Sequence, residues 1–146
     1  MSETNVRPPF RFSYETRVGF DETDAQGVVY YGRYMPYFDR ARVEYLRHLG
    51  QLDAGAGVAQ FVMRAQHVEY HAPARFDDRL EVFVRVNRIG STSVNWQFAA
   101  TDLETSVHLV SADQTVVQID HTSRQPMPVS QSFRSAVEAF EAHGVS

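Results

Sequence analysis

Three carboxylates, Asp21, Glu22 and Asp24, fall within four residues and are followed at once by Gly27, Val28, Val29, Tyr30 and Tyr31. Acids ahead of a helix can do two things. They can favour the positive end of the helix dipole, which contributes a few tenths to about 1 kcal/mol. Alternatively, one of them can be a reactive carboxylate beside free backbone N–H groups, which polarise a carbonyl while the carboxylate attacks it or activates water. Gly27 allows the following extended segment to pass close to another backbone, leaving Asp24 near the helix N-terminus. The residues by themselves leave both readings open. The catalytic one requires an acyl group that is already activated, because little else in the chain does chemistry.

Cysteine is absent, which removes disulfides, thiolate metal sites and cysteine nucleophiles. No G-x-S-x-G elbow, P-loop or dinucleotide fingerprint occurs. Six histidines are present, none in a recognisable metal spacing. His67 and His71 are four apart, which suits a helix face, but their segment reads as a strand. They are expected to be polar strand residues, with no metal and no cofactor.

The elements that must hold Asp24 follow from periodicity. Phe10 to Phe20 alternates, with Phe10, Phe12, Tyr14, Thr16, Val18 and Phe20 on one face, and predicts a half-buried strand. From Tyr34 to Leu49 the spacing changes to three and four. Tyr34, Tyr37, Phe38, Ala41, Tyr45 and Leu49 form the apolar side, with Arg40, Arg42, Glu44 and Arg47 between them. This predicts an amphipathic helix stopped by Gly50. Pro36 is tolerated only in a first turn, so regular helix starts between Gly32 and Met35. Strands are expected at Phe61–Tyr70, Leu80–Val86, Val94–Ala100 and Val107–Ile119. His71–Asp78 is a turn or crossover and Asn87–Ser93 a turn. A short helix is expected at Ser130–Ala142, capped by Ser132, with Phe133, Val137 and Phe140 inward. Consecutive hairpins give an antiparallel sheet, and one helix on one face of it is an α+β arrangement.

The chain has 146 residues, one domain's worth, and a net charge of −4. Nothing suggests the basic face of a nucleic-acid binder, and no apolar run approaches the ~20 residues of a membrane span. Residues 1–9 read as a flexible lead and 10–146 as a single domain. A cytoplasmic protein is the default.

The stretch "VGFDETDAQGVVYYGRYMPYFDRARVEYLR" resembles the signature segment of the 4-hydroxybenzoyl-CoA thioesterase family, including its Tol-Pal-associated acyl-CoA thioesterases. The family pattern maps onto Glu22, Thr23, Asp24, Ala25, Gln26, Gly27, Val28, Val29, Tyr30 and Tyr31. A second block, "FVMRAQHVEYHAPARFDDRLEV", is similar to the family's strand-crossover-strand segment. The likeness runs from about residue 12 to about residue 120. It implies a hotdog fold, in which a curled antiparallel sheet wraps one long central helix. It also implies a homodimer or homotetramer with active sites at subunit interfaces. Asp24 takes the place of the catalytic carboxylate, as nucleophile or general base. Tyr31 takes the place whose backbone N–H polarises the thioester carbonyl.

The implied activity is hydrolysis of an acyl-CoA thioester, with an acyl carrier protein thioester as another possible donor. A non-catalytic acyl-CoA-binding module and a hotdog hydratase or dehydratase are the alternatives. Gly27 and Tyr30 are expected to contact substrate. Tyr30, Tyr34, Phe61 and Met63 are either pocket or core. Arg88, Ser91 and Thr92 offer a cation and several donors to a coenzyme A phosphate, or form an ordinary polar hairpin.

Overall fold

A computed structural model describes residues 8–52 and 61–143. The elements, in chain order, are β1 (Phe12–Arg17), α1 (Tyr34–His48), β2 (Phe61–Tyr70), β3 (Arg79–Ile89), β4 (Ser93–Asp102), β5 (His108–Gln118) and α2 (Gln131–His143). Two 3₁₀ turns, Phe20–Glu22 and Tyr31–Arg33, lie between β1 and α1. All strands join one antiparallel sheet in the order β1-β3-β4-β5-β2.

β3, β4 and β5 are consecutive hairpin neighbours, as alternation predicts. β2 is not paired with β3. The segment after Tyr70 crosses over, so β2 pairs with β5 at one edge while β1 takes the place beside β3. Pro73 suits such a connection because it supplies no ladder donor. Ala74, fully buried, anchors it: its N–H donates to the Tyr34 hydroxyl at 3.3 Å and its carbonyl accepts from Val29 at 2.8 Å.

α1 begins at Tyr34, with Pro36 in its first turn where the missing N–H has no intrahelical role. Leu49 caps its other end, and Gly50 follows at φ +70°, a left-handed stop that glycine adopts without strain. Tyr34, Tyr37, Phe38, Ala41, Tyr45 and Leu46 bury one side of α1 against the sheet. Opposite them stand Val82, Val84, Trp96, Phe98, Val110 and Ala112. Burying each large apolar side chain stabilises by roughly 1.5–3 kcal/mol.

Arg42 was expected among the polar residues but is buried. Its guanidinium lies 5.1–5.3 Å from the ring centres of Phe61, Trp96 and Phe98, donates to Asp39 at 3.0 Å and also bonds Gln114. Burial lowers its pKa and the Asp39 charge opposes that shift. A helical repeat cannot report this, because Phe61 and Gln114 come from distant strands.

Glu81 and Phe83 of β3 are also buried, Glu81 accepting from the Ser13 hydroxyl and Phe83 packing on Phe10. Two other expectations change. β1 stops at Arg17, so Phe20 leaves the alternation, joins a 3₁₀ turn and is 77% exposed. Ser130, not Ser132, caps α2, its hydroxyl accepting from the Phe133 N–H at 3.1 Å, while Ser132 bonds Gln51. Residues 1–7 of the expected lead lie outside the described residues. Among the described residues no helix is long and apolar enough to cross a membrane.

Candidate active site at the start of the long helix

Asp24 opens a tight turn. Its N–H donates to the Val28 carbonyl at 2.9 Å and its carbonyl accepts from Gly27 at 3.0 Å. Its Oδ1 accepts the N–H groups of Gln26, at 2.8 Å, and Val28, at 3.4 Å. Aspartate is suited to this self-capping geometry. The side chain is exposed, and among the described residues Oδ2 accepts no hydrogen bond. Thus one carboxylate oxygen orients the group and the other stays available.

Gly27 has φ +80°, with open space around the position a Cβ would occupy. Its requirement is therefore torsional and not one of crowding. The close backbone approach does occur one step later, where Val28 bridges Arg75 and the Gly27 carbonyl accepts from Phe76 at 3.3 Å.

Glu22 does something different from Asp24. Strand alternation would put both on one side, but residues 20–22 form a 3₁₀ turn that turns Glu22 inward. Its Oε1 accepts the Gly19 N–H at 2.8 Å and the Tyr37 hydroxyl at 2.6 Å. Burial first, and then the Glu22 carboxylate, hold the Tyr37 phenol far above its ordinary pKa. Glu22 thereby ties the acidic turn to α1. Asp21 is exposed.

After Val29 the chain enters the 3₁₀ turn Tyr31–Arg33, which leads directly into α1. Among the described residues, the N–H groups of Tyr31 and Gly32 donate to no backbone carbonyl, as first-turn donors usually do not. They share the positive end of a 15-residue helix.

A cleft of about 690 Å³ brings these groups together; Asp24, Tyr30, Tyr31, Tyr34, Tyr70 and Arg75 line it. Tyr34 is buried, and burial raises its pKa, opposed by the hydrogen bond from Ala74. Tyr70 reaches over from β2, with ring centres 4.9 Å from Tyr31 and 5.8 Å from Tyr34. Its hydroxyl lies 3.4 Å from the Tyr31 carbonyl. Tyr70, His71 and Arg75 were not singled out as site residues from the sequence. They arrive through the crossover, and only Pro73 hinted at a connection there.

Arg88, Ser91 and Thr92 are elsewhere. β3 runs to Ile89, with a bulge between Val86 and Arg88, and the hairpin tip is Gly90–Thr92. Ser93 pairs with Val117, whereas Tyr70 pairs with Val110. Seven residues of strand separate those positions, roughly 23 Å at 3.3 Å per residue. One protomer does not unite this hairpin with Asp24. Phe61 is also at the far end, beside an apolar cavity with Trp96 and Phe133. Met63 is 45% exposed on β2. Among the described residues no three His, Asp or Glu side chains converge as a metal site requires.

The sequence profile of the thioesterase superfamily matches residues 26–108. The chain is 36% identical to the acyl-CoA thioester hydrolase YbgC of Escherichia coli over 123 residues, 83% of this chain and 91% of that protein. It is 30% identical to the acyl-CoA thioesterase YbgC of Haemophilus influenzae over 128 residues, 86% of this chain and 93% of that one. A 1,4-dihydroxy-2-naphthoyl-CoA thioesterase from Synechocystis superposes with a TM-score of 0.77 at 24% identity, covering 86% of this chain and 94% of that one. A Thermus thermophilus thioesterase complexed with coenzyme A and zinc gives 0.80 at 22% identity, covering 93% and 98%. At those identities the two structures speak for the fold. The antiparallel sheet wrapped on α1 is the hotdog fold, and the chain belongs to the thioesterase superfamily.

Proposed function

We propose that the protein hydrolyses acyl-CoA thioesters to a free carboxylic acid and coenzyme A. The observation that carries this reading is the cleft, in which an exposed, oriented Asp24 carboxylate and the unmatched Tyr31 N–H stand together. The relatives named acyl-CoA thioester hydrolases support the substrate class. A thioester suits so sparse a site, since its carbonyl is electrophilic and its thiolate leaves readily.

In this reading the substrate carbonyl oxygen accepts the Tyr31 N–H, which stabilises the developing oxyanion. Asp24 then acts in one of two ways. As general base it takes a proton from water while the hydroxide adds to the carbonyl carbon and the C–S bond breaks. As nucleophile it forms an acyl anhydride with loss of thiolate, and water cleaves that anhydride. Gly27 keeps the turn, and Tyr30 flanks the acyl group. The reaction is placed in the cytoplasm, and an acyl carrier protein thioester is the other donor with this chemistry.

A second copy of the chain belongs to the proposal. β2 is an edge strand, and most of its residues are exposed on both faces. Such an edge leaves backbone donors and acceptors open for pairing. Antiparallel pairing of β2 with a second β2 covers it and sets the second copy's Phe61 end beside this copy's Tyr70. Arg88, Ser91 and Thr92 enter the site only through that second copy.

The test is thiol release from a panel of acyl-CoAs, comparing the natural protein with Asp24→Asn. Asparagine keeps the Oδ1 acceptor for Gln26 and Val28, so the turn persists. Loss of a positioned base lowers kcat by at least roughly 100-fold. Near-normal turnover in the variant returns Asp24 to a purely structural role.

A further inference from the structure

We propose that Arg75 is the phosphate anchor for coenzyme A, a conclusion that rests on the acyl-CoA reading above. Coenzyme A carries three phosphate groups, whereas the chain has a net charge of −4 and the cleft holds the Asp24 carboxylate. Binding such a ligand next to a carboxylate calls for a local cation. Among the described residues, Arg75 is the one lysine or arginine lining the cleft.

Its backbone is fixed from three sides. The Arg75 N–H donates to Asp78 Oδ2 at 2.9 Å, its carbonyl accepts from the Asp78 N–H at 3.1 Å, and it bridges Val28 within the ribbon that carries Asp24. Its guanidinium, by contrast, is uncommitted: among the described residues it makes no ion pair and no hydrogen bond. Half of the other described arginines are engaged in this way, among them Arg42 with Asp39, Arg47 with Glu44, Arg79 with Glu15 and Arg134 with the Gly90 carbonyl; of those that are not, Arg75 is the one in the cleft. A planar, permanently charged fork on a fixed backbone matches a phosphate in two parallel hydrogen bonds. The Val28–Arg75 bridge sets its distance from Asp24, so the phosphate is held at a defined remove from the reacting thioester. Arg88, the other arginine considered for this role, lies at the opposite end of the sheet in the same chain and reaches this cleft only from a second copy, whereas Arg75 belongs to the chain that carries Asp24.

The experiment compares acyl-CoA with the matching acyl-N-acetylcysteamine thioester, which lacks every phosphate. For Arg75→Ala, KM for acyl-CoA rises about tenfold more than KM for the truncated thioester, with kcat for acyl-CoA little changed. Arg75→Lys recovers part of the loss, because it restores charge without the fork. Raising ionic strength lifts KM for acyl-CoA in the natural protein and much less in Arg75→Ala. Equal effects on both thioesters, or a larger coenzyme-specific effect from Arg88→Ala, overturn the assignment. If the natural protein releases no thiol from any acyl-CoA while Asp24→Asn changes nothing, the functional reading itself has failed. Active natural enzyme with unaltered Arg75→Ala kinetics sinks the Arg75 inference alone.

Discussion

Replacing Tyr37 by phenylalanine isolates one hydrogen bond that decides how the acidic turn is held. Tyr37 is fully buried, and its hydroxyl donates to Glu22 Oε1 at 2.6 Å. Phenylalanine keeps the ring and its edge-on packing against Tyr34, with centres 6.0 Å apart. It removes a single oxygen, so the cavity term is small. What is lost is a short bond to a carboxylate, and such bonds contribute about 1.5–3 kcal/mol. Glu22 retains the Gly19 N–H and is half-buried, so water recovers part of its solvation. The expected destabilisation is therefore about 1.5–2.5 kcal/mol. For a chain of this size that corresponds to a fall in Tm of about 5–10 °C. Urea and thermal unfolding at fixed protein concentration measure it, fixed because association shifts apparent stability. The same bond ties Gly19–Glu22 to α1, so kcat falls, but by less than in Asp24→Asn, which acts on the proposed reacting group. A Tyr37→Phe variant within about 0.5 kcal/mol of the natural protein refutes the reasoning, since that is the scatter of neutral surface changes. So does a Tyr37→Phe variant as inactive as Asp24→Asn with unchanged stability, because the phenol would then belong to the chemistry.

Two further outcomes follow. Tyr34, Tyr37 and Tyr45 are buried, and burial first of all raises their pKa values, with the Glu22 and Glu141 carboxylates adding to the shift for Tyr37 and Tyr45. Above about pH 10 the unfolded chain releases these protons while the folded chain holds them, so stability is full below that pH and falls above it by up to about 1.4 kcal/mol per tyrosine per pH unit; a flat Tm through the phenol range contradicts this. The exposed β2 edge predicts at least a dimer, and light scattering that returns the 16.6 kDa mass of one chain at micromolar concentration removes the second copy from the site.

Much of the architecture was written in local patterns. Apolar and β-branched runs bounded by turn residues placed β2 through β5 to within a few residues, because strand length and turn chemistry are local properties of the chain. α1 was bounded by Pro36 and Gly50, whose backbone limits act wherever the chain goes. The Asp24 turn carried its own instructions as well, since Asp24, Gln26, Gly27 and Val28 close it by themselves. The resemblance supplied the fold's identity and the expectation that Asp24 and Tyr31 work together.

The tertiary structure decided what depends on partners far away in the chain. Glu22 and Asp24 look alike in sequence, yet one turns inward because Tyr37 stands opposite and the other stays exposed in the cleft. Arg42 sits at a polar helical position but is buried, because β2 and β5 deliver Phe61 and Gln114 around it. Tyr70 and Arg75 reach the cleft only because the chain crosses over at the end of β2, some 36 to 47 residues along the chain from the residues they meet. The same crossover leaves β2 at the edge and puts the Arg88 hairpin at the opposite end. Periodicity records which face of an element is apolar; which elements meet is set by the pairing order of the sheet, and no local stretch of the chain contains that order.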